Sequence, residues 1–483
     1  MNRVTVFLKS AYSQQRLKKF TWSKNWTVSI VILGILCAGL GVAYLVSSGD
    51  WIFASLLVFA IPVLAGLMRF PFIALLIWLS LSPFLVQTPT TAERMVYWLI
   101  HRLLPVLTLG IMLVSSVMRI STRRLPRFSL AEFAMLGYVA ATVISIIVQN
   151  NAVPATLILF YDRTFIPMSL YWLIKLSAPG EKHIKWLLPV ALYFIITQVA
   201  IGTLSWIMPS ALPSYWLKYA GERTTGSLNS VSVYTTTLTF AGMFVLYAAL
   251  KMKQGFKRNF LILVYLSTIY ATFISFSRAS WLAGGLVMLG IIALYPRFMF
   301  RLISRVLPIV VLLGGTLMVT QLQYAQERLY SGESSQTALS RLPVLVAAYR
   351  MFEAKPILGW GYGNFDRYDR QFQGRFGDFV NPDEKDLTSH NVYLTLLAEQ
   401  GIVGFTLALL PVFWLLYKTI MTYSHLPRSG FKSRNMIIML WLVVLSYFVV
   451  NNFAPMVVVF GLGIYWVTLG LIANILQAYS PTQ

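Results

Sequence analysis

Acidic residues are scarce in this chain. Sixteen Asp and Glu stand against 39 Lys and Arg in 483 residues, a formal net charge of +23. In a soluble protein that excess would suggest nucleic acid as a partner. Charge of either sign is also sparse, at 11% of residues, against roughly 25% in soluble domains. That shortfall suits lipid as solvent, and no nucleic-acid partner is expected. Cysteine is almost absent: Cys37 is the single one, so no disulfide framework or cysteine metal site can form within the chain. The sequence has no GxxxxGK[ST], no HExxH and no CxxC. Asp366, Asp369, Asp378, Asp383, Glu384 and Asp386 match no calcium loop. No metal and no cofactor are expected.

Long apolar runs are abundant. Hydrophobic residues make up 57% of the chain, in stretches near the roughly 20 residues that cross a hydrocarbon core as helix. They are too continuous for barrel strands, which alternate over about 10 residues. Lipid requires backbone polar groups to be paired within the segment, which leaves an all-α, polytopic transmembrane helical bundle. Fourteen candidate spans fall near 26–47, 51–68, 71–87, 103–118, 130–149, 156–176, 186–207, 231–250, 259–276, 279–295, 303–321, 392–420, 435–453 and 455–475. The second and third are short enough to form one re-entrant pair.

Orientation follows from the basic residues. Arg3, Lys9, Arg16, Lys18, Lys19 and Lys24 precede the first span, and later basic clusters fall in alternate loops. Together these segments hold 25 of the 39 Lys and Arg, the bias that marks cytoplasmic loops. The boundaries read as a cytoplasmic tail at 1–25, N-terminal transmembrane helices at 26–185, a second membrane region at 186–475, and a cytoplasmic C-terminus at 476–483. A long outer segment, 322–391, precedes the last three spans. Ser340 as N-cap, Pro343 in the first turn and apolar residues at helical spacing predict a helix there to about Ala354.

Side chains able to do chemistry collect on the outer side. His390 lies where the long outer segment meets a span, in Ser389-His390-Asn391-Val392-Tyr393-Leu394, with Glu399 and Gly401 following. A neutral imidazole there can take a proton from a hydroxyl, or simply hydrogen-bond at the interface. Arg278 lies in the tight turn Ser277-Arg278-Ala279 between two spans. Its guanidinium fork suits phosphate oxygens, though an arginine at that depth can also snorkel to headgroups. Arg223, in Gly221-Glu222-Arg223-Thr224-Thr225-Gly226-Ser227, could act as a second phosphate ligand beside small residues that let amides approach an anion. A polar interfacial turn is the blander reading of that segment. Arg341 and Glu399 are candidate cleft residues. Asp162 and Arg163 lie inside a span, where each needs a partner from another helix. His101 and Arg102 are placed at an outer interface.

In this order the segments resemble the O-antigen ligase and O-antigen polymerase superfamily of bacterial envelope proteins. The resemblance rests on Arg223-Thr224-Thr225-Gly226-Ser227, on Ser277-Arg278-Ala279-Ser280-Trp281, and on the helix from Arg341 into Lys355-Pro356-Ile357-Leu358-Gly359-Trp360-Gly361-Tyr362-Gly363. His390-Asn391-Val392-Tyr393-Leu394 with Glu399 and Gly401 completes it. It covers roughly 186–475. It implies a GT-C-like fold in the bacterial cytoplasmic membrane, both termini inside, and a metal-independent glycosyltransferase of the outer face. The implied donor is an undecaprenyl-diphosphate-linked glycan, and the acceptor a glycan or a lipid core. Membrane lipids and polysaccharide assembly proteins would be partners. By motif position, Arg223 and Arg278 would hold the diphosphate and His390 would serve the acceptor hydroxyl. Ligase and polymerase share these motifs. The alternative reading is a polysaccharide or lipid-linked oligosaccharide transporter, which should show inverted repeats and broken helices; no such repeat is visible.

Overall fold

The structure, a computed structural model, describes residues 40, 43–44, 47–49, 62–63, 65–87, 89–118, 126–149, 153–217, 223–308, 341–373, 389–454 and 458–479. The chain divides into two units, residues 1–70 with 110–125, and residues 71–109 with 126–483. Most of the first unit lies outside the described residues, including most of the expected spans at 26–47 and 51–68. So do the span at 303–321 beyond residue 308, and Ser340.

Every regular element among the described residues is helical. In chain order we label α1 Phe72–Leu81, α2 Thr91–Val117, α3 Leu130–Gln149, α4 Val153–Ser177, α5 Glu181–Ile207 and α6 Val231–Lys251. Then come α7 Phe256–Phe273, α8 Arg278–Leu294, α9 Leu342–Ala354, α10 Phe365–Phe372 and α11 Val392–Thr422. The last two are α12 Arg434–Asn451 and α13 Val459–Tyr479. Eight helices among the described residues are long and apolar enough to cross a membrane. The expected fourteen are therefore not all seen as such. α1 has 10 residues, about 15 Å at 1.5 Å per residue, half of a hydrocarbon core.

Within the second unit, α6 and α13 form the centre. In each, 89% of the apolar window is buried, as expected of helices apolar on every side. α6 packs on α5 and α7, α13 packs on α4, α3 packs on α11, and α8 packs on α12. Small residues let these helices approach closely. A Cβ on Gly463 would meet the Trp78 ring at 2.1 Å, and one on Gly290 would meet Leu442 at 2.4 Å.

One span begins earlier than its apolar run. α2 starts at Thr91, not near 103, because Thr90 and Glu93 form a reciprocal capping box. The pattern Thr90-x-x-Glu93 stood in the sequence, but Glu93, Arg94, His101 and Arg102 interrupt the apolar run ahead of 103. His101 and Arg102 consequently sit inside a helix, on a π-helical turn at Trp98–Leu103. The Arg102 guanidinium forks onto Asp162, with Nε to Oδ1 at 2.7 Å and Nη2 to Oδ2 at 2.6 Å. Asp162 lies on a second π-helical turn, Tyr161–Phe165. This is the partner that an acid inside a span requires. A second pair, this one buried, joins Lys175 of α4 to Glu132 of α3 at 2.5 Å, and the Tyr171 hydroxyl also donates to Glu132.

The expected outer helix is α9, with Pro343 in its first turn and its end at Ala354. α10 was not anticipated from the sequence. It packs on α9 through Val344, Ala348, Met351 and Phe365, and α9 packs on α11. These two short helices form a cap over the start of α11.

Candidate active site

His390 is the residue before the N-cap of α11, and it has a left-handed backbone at φ +56°. A non-glycine residue pays about 1–3 kcal/mol for such a conformation unless its surroundings impose it. They do. The Asn391 side chain caps α11, its Oδ1 accepting from Tyr393 N and Leu394 N at 3.0 Å each. Ser389, wholly buried, lies on the other side. Its hydroxyl donates to Asn391 O at 2.7 Å and shares a 2.9 Å bond with Thr395 Oγ1. The Thr395 hydroxyl also accepts from Ser389 N at 3.3 Å. The hydroxyl pair and the asparagine cap thus clamp the backbone on both sides of His390, whose own side chain is half-buried.

Arg278 opens α8. Ser277 caps that helix, accepting from Ser280 N at 3.4 Å. The preceding Phe276 is left-handed at φ +47° and buried. It is held between Trp206, Phe273 and Trp281, and the Trp281 indole closes the turn by donating to Phe273 O at 3.0 Å. The arginine itself is exposed. An apolar knot therefore drives the chain through a tight corner and leaves the guanidinium outside it.

Arg223 leads into a buried polar turn. Thr224, Thr225 and Ser227 are nearly inaccessible. Gln198 of α5 grips Ser227, donating to its hydroxyl at 2.8 Å and accepting from its amide at 3.0 Å. Gly226 has φ +57°, and a Cβ there would lie 2.3 Å from Gln198 Oε1, so only glycine fits. Asn229 is left-handed at φ +50° and donates to Tyr215 O at 2.6 Å.

The segments share neighbours. Trp206 donates to Thr224 Oγ1 at 2.7 Å, and its ring lies 5.7 Å from that of Phe276. One indole thus joins the residue after Arg223 to the corner before Arg278. Thr235 of α6 and Ser280 of α8 bond at 2.8 Å. Further along, Asn435 bonds Tyr295 at 2.7 Å, and Gly290 faces Leu442. These two pairings make α8 and α12 antiparallel, and continuing the register sets Arg278 level with residue 453. The carbonyl of Phe453 accepts from Arg341 Nη1 at 3.2 Å. Asn391 Nδ2 lies 3.4 Å from the carbonyl of Asn452. Arg223, Arg278, Arg341 and His390 therefore gather at one end of the helices, around Trp206 and the turn after α12. Phe453, Asn452 and Trp206 were not singled out from the sequence, where nothing distinguishes them from interfacial residues.

Among the described residues, four non-glycine positions have positive φ: Ala178, Asn229, Phe276 and His390. Ala178 ends α4 as an ordinary left-handed C-cap. The other three fall in the three segments that carry Arg223, Arg278 and His390. Strain of this kind collects where geometry serves a ligand or a reaction.

Glu399 faces the glycine run. Its Oε1 accepts from Phe365 N at 3.1 Å, and its carbonyl accepts from Gly361 N at 2.7 Å. Gly359, Gly361, Gly363 and Gly401 all have positive φ. A Cβ on Gly359 would sit 2.4 Å from the backbone of Glu399, and one on Gly401 would sit 2.3 Å from Ile357 O. The glycines let a loop and a helix touch backbone to backbone, and Glu399 bolts the loop to α11. Arg350 reaches Phe372 O at 3.2 Å and ties α9 to α10.

Residues 261–409 match the O-antigen ligase family model. The match supports the superfamily resemblance carried by the motifs, and with it a role as a membrane glycan ligase or polymerase, an enzyme of the glycosyltransferase kind. It includes Arg278, Arg341, His390 and Glu399, and begins after Arg223. It lends nothing to a transporter. No curated protein matches the chain.

Proposed function

We propose that the protein transfers or polymerises glycan from an undecaprenyl-diphosphate donor onto an acceptor hydroxyl, at the outer face of a bacterial cytoplasmic membrane. The observation that carries the reading is the gathering of Arg223, Arg278 and His390 at one helix end, each in a segment with a strained backbone. In the reaction, the acceptor oxygen attacks the anomeric carbon, and the bond from that carbon to the lipid diphosphate breaks. Arg223 and Arg278 meet the charge that grows on the leaving diphosphate, with no metal required for that task. Pre-placed cations are most valuable there, since they need not reorganise as charge develops. His390 takes the acceptor proton, a contribution of typically 10²–10⁴-fold for a positioned base. Attack opposite the diphosphate inverts the anomeric centre. Arg341 lines the cleft beside the turn after α12. Glu399 acts through the cap loop as a positioning residue.

Purified protein in lipid nanodiscs, supplied with lipid-linked oligosaccharide, tests this. Product that lengthens as a ladder without added acceptor marks a polymerase. A single conjugate that needs an added lipid-core acceptor marks a ligase. No product with any acceptor, together with donor crossing the bilayer, supports a transporter instead.

A further inference from the structure

The loop between α9 and the glycine run ends in two adjacent aliphatics that face outward. Ile357 is 63% exposed and Leu358 is 58% exposed. Leaving such side chains in water forgoes the gain of removing their apolar surface from it. Three successive carbonyls at this tip, those of Lys355, Pro356 and Ile357, are nevertheless paired. Ile402 N donates to Pro356 O at 2.8 Å, Val403 N to Ile357 O at 3.3 Å, and Gly359 N to Lys355 O at 3.1 Å. Irregular backbone tolerates an apolar medium only when its polar groups are satisfied in this way.

The depth of the tip follows from α11. No residue from Val392 to Gln400 is exposed. The exposed apolar stripe of α11 begins at Ile402 and continues through Phe413, Leu416 and Ile420. From Ile402 to Tyr423, where the helix turns, the rise is about 31 Å at 1.5 Å per residue, close to the roughly 30 Å of a hydrocarbon core. Ile402 therefore marks the boundary of the core at the His390 end. The tip is hydrogen-bonded to that residue and continues its exposed surface. Just beyond, Lys355 Nζ lies 3.9 Å above the Trp360 ring, a cation and an indole of the kind that favour the headgroup layer.

We propose that Ile357 and Leu358 insert into the acyl layer of the leaflet at the His390 end, so that the cap is moored to lipid as well as to α11. The partner is the bilayer itself, and the inference needs only that α11 spans it. The mooring sets the height of the cap against the layer in which a lipid-linked headgroup would lie.

Site-directed spin labelling of the full chain in nanodiscs measures this directly. In a Cys37→Ala background, labels enter at Ile357→Cys and Leu358→Cys. Phe413→Cys serves as the in-span reference and Glu353→Cys as the aqueous one. Labels at 357 and 358 should collide more with oxygen than with a water-soluble nickel chelate, as at 413 and opposite to 353. Greater nickel access at either position overturns the proposal. Low access to both reagents, the mark of a covering protein surface, also overturns it. Unsubstituted protein provides a second arm: a phospholipid with a carbene precursor in its acyl chain should tag the peptide holding Ile357 and Leu358. Absence of that tag while peptides of α11 are labelled counts against insertion.

Discussion

At the scale of single residues, His390 holds a backbone conformation that side chains avoid, and two hydroxyls and an asparagine keep it there. The Ser389–Thr395 pair touches no reacting group in the proposed scheme, so its effect should appear in turnover and not in binding. We expect Thr395→Val to lower kcat by roughly ten- to a hundredfold with KM unchanged, since small misplacements of a catalytic group cost about that much. Thr395→Ser should restore it. Steady-state kinetics on both variants separates this role from a general loss of fold, which Ser would not rescue selectively. Asn391→Ala removes a helix cap worth about 1 kcal/mol and should lower the melting temperature as well as turnover. His390, Arg278 and Arg223 were legible in the sequence because an ionisable side chain at a span end stands out against an apolar background. Their holders were not. Ser389, Thr395 and Trp206 are ordinary residue types whose importance lies in bonds to residues distant in the chain or across a turn.

At the scale of elements, glycine does the joining. Gly359 and Gly401 bring the cap loop and α11 into backbone contact. Neither can accept a side chain, on grounds of both space and φ. Gly401→Ala should uncouple the cap from α11, and limited proteolysis of the solubilised protein should then cut between α9 and α11 faster than in wild type. Resistance equal to wild type would contradict the joint described here. The paired π-helical turns of α2 and α4 make a second joint, fastened by Arg102 and Asp162. Asp162→Asn takes the charged partner from a half-buried guanidinium, with a loss of about 1.5–3 kcal/mol for a charge-assisted bond. Replacing both with Leu and Met should recover much of that loss in thermal unfolding of detergent-purified protein. The sequence indicated that Asp162 needed a partner but could not say which, because pairing between spans depends on packing. It did not show that Arg102 lies within a helix, because hydropathy alone cannot see that α2 starts at the Thr90 capping box.

At the scale of the molecule, the apolar runs were enough to give a multi-pass helical membrane protein, and the charge asymmetry gives the expected orientation. Span boundaries were less legible, since α1 is shorter than its apolar run and α2 is longer. What no linear reading supplies is lateral convergence. Residues far apart in the chain can share a depth and still lie on opposite sides of a bundle. Here Trp206, the register of α8 against α12, and the turn at Asn452–Phe453 draw Arg223, Arg278, Arg341 and His390 to one end. The measurement that tests this most directly is product formation from lipid-linked oligosaccharide by purified wild type, Arg278→Ala and His390→Ala, each confirmed folded in the membrane. The account predicts transfer by wild type and a loss of at least about a hundredfold in each variant, the low end of what a positioned acid–base group or charge donor contributes. Wild-type rates in either variant would contradict it.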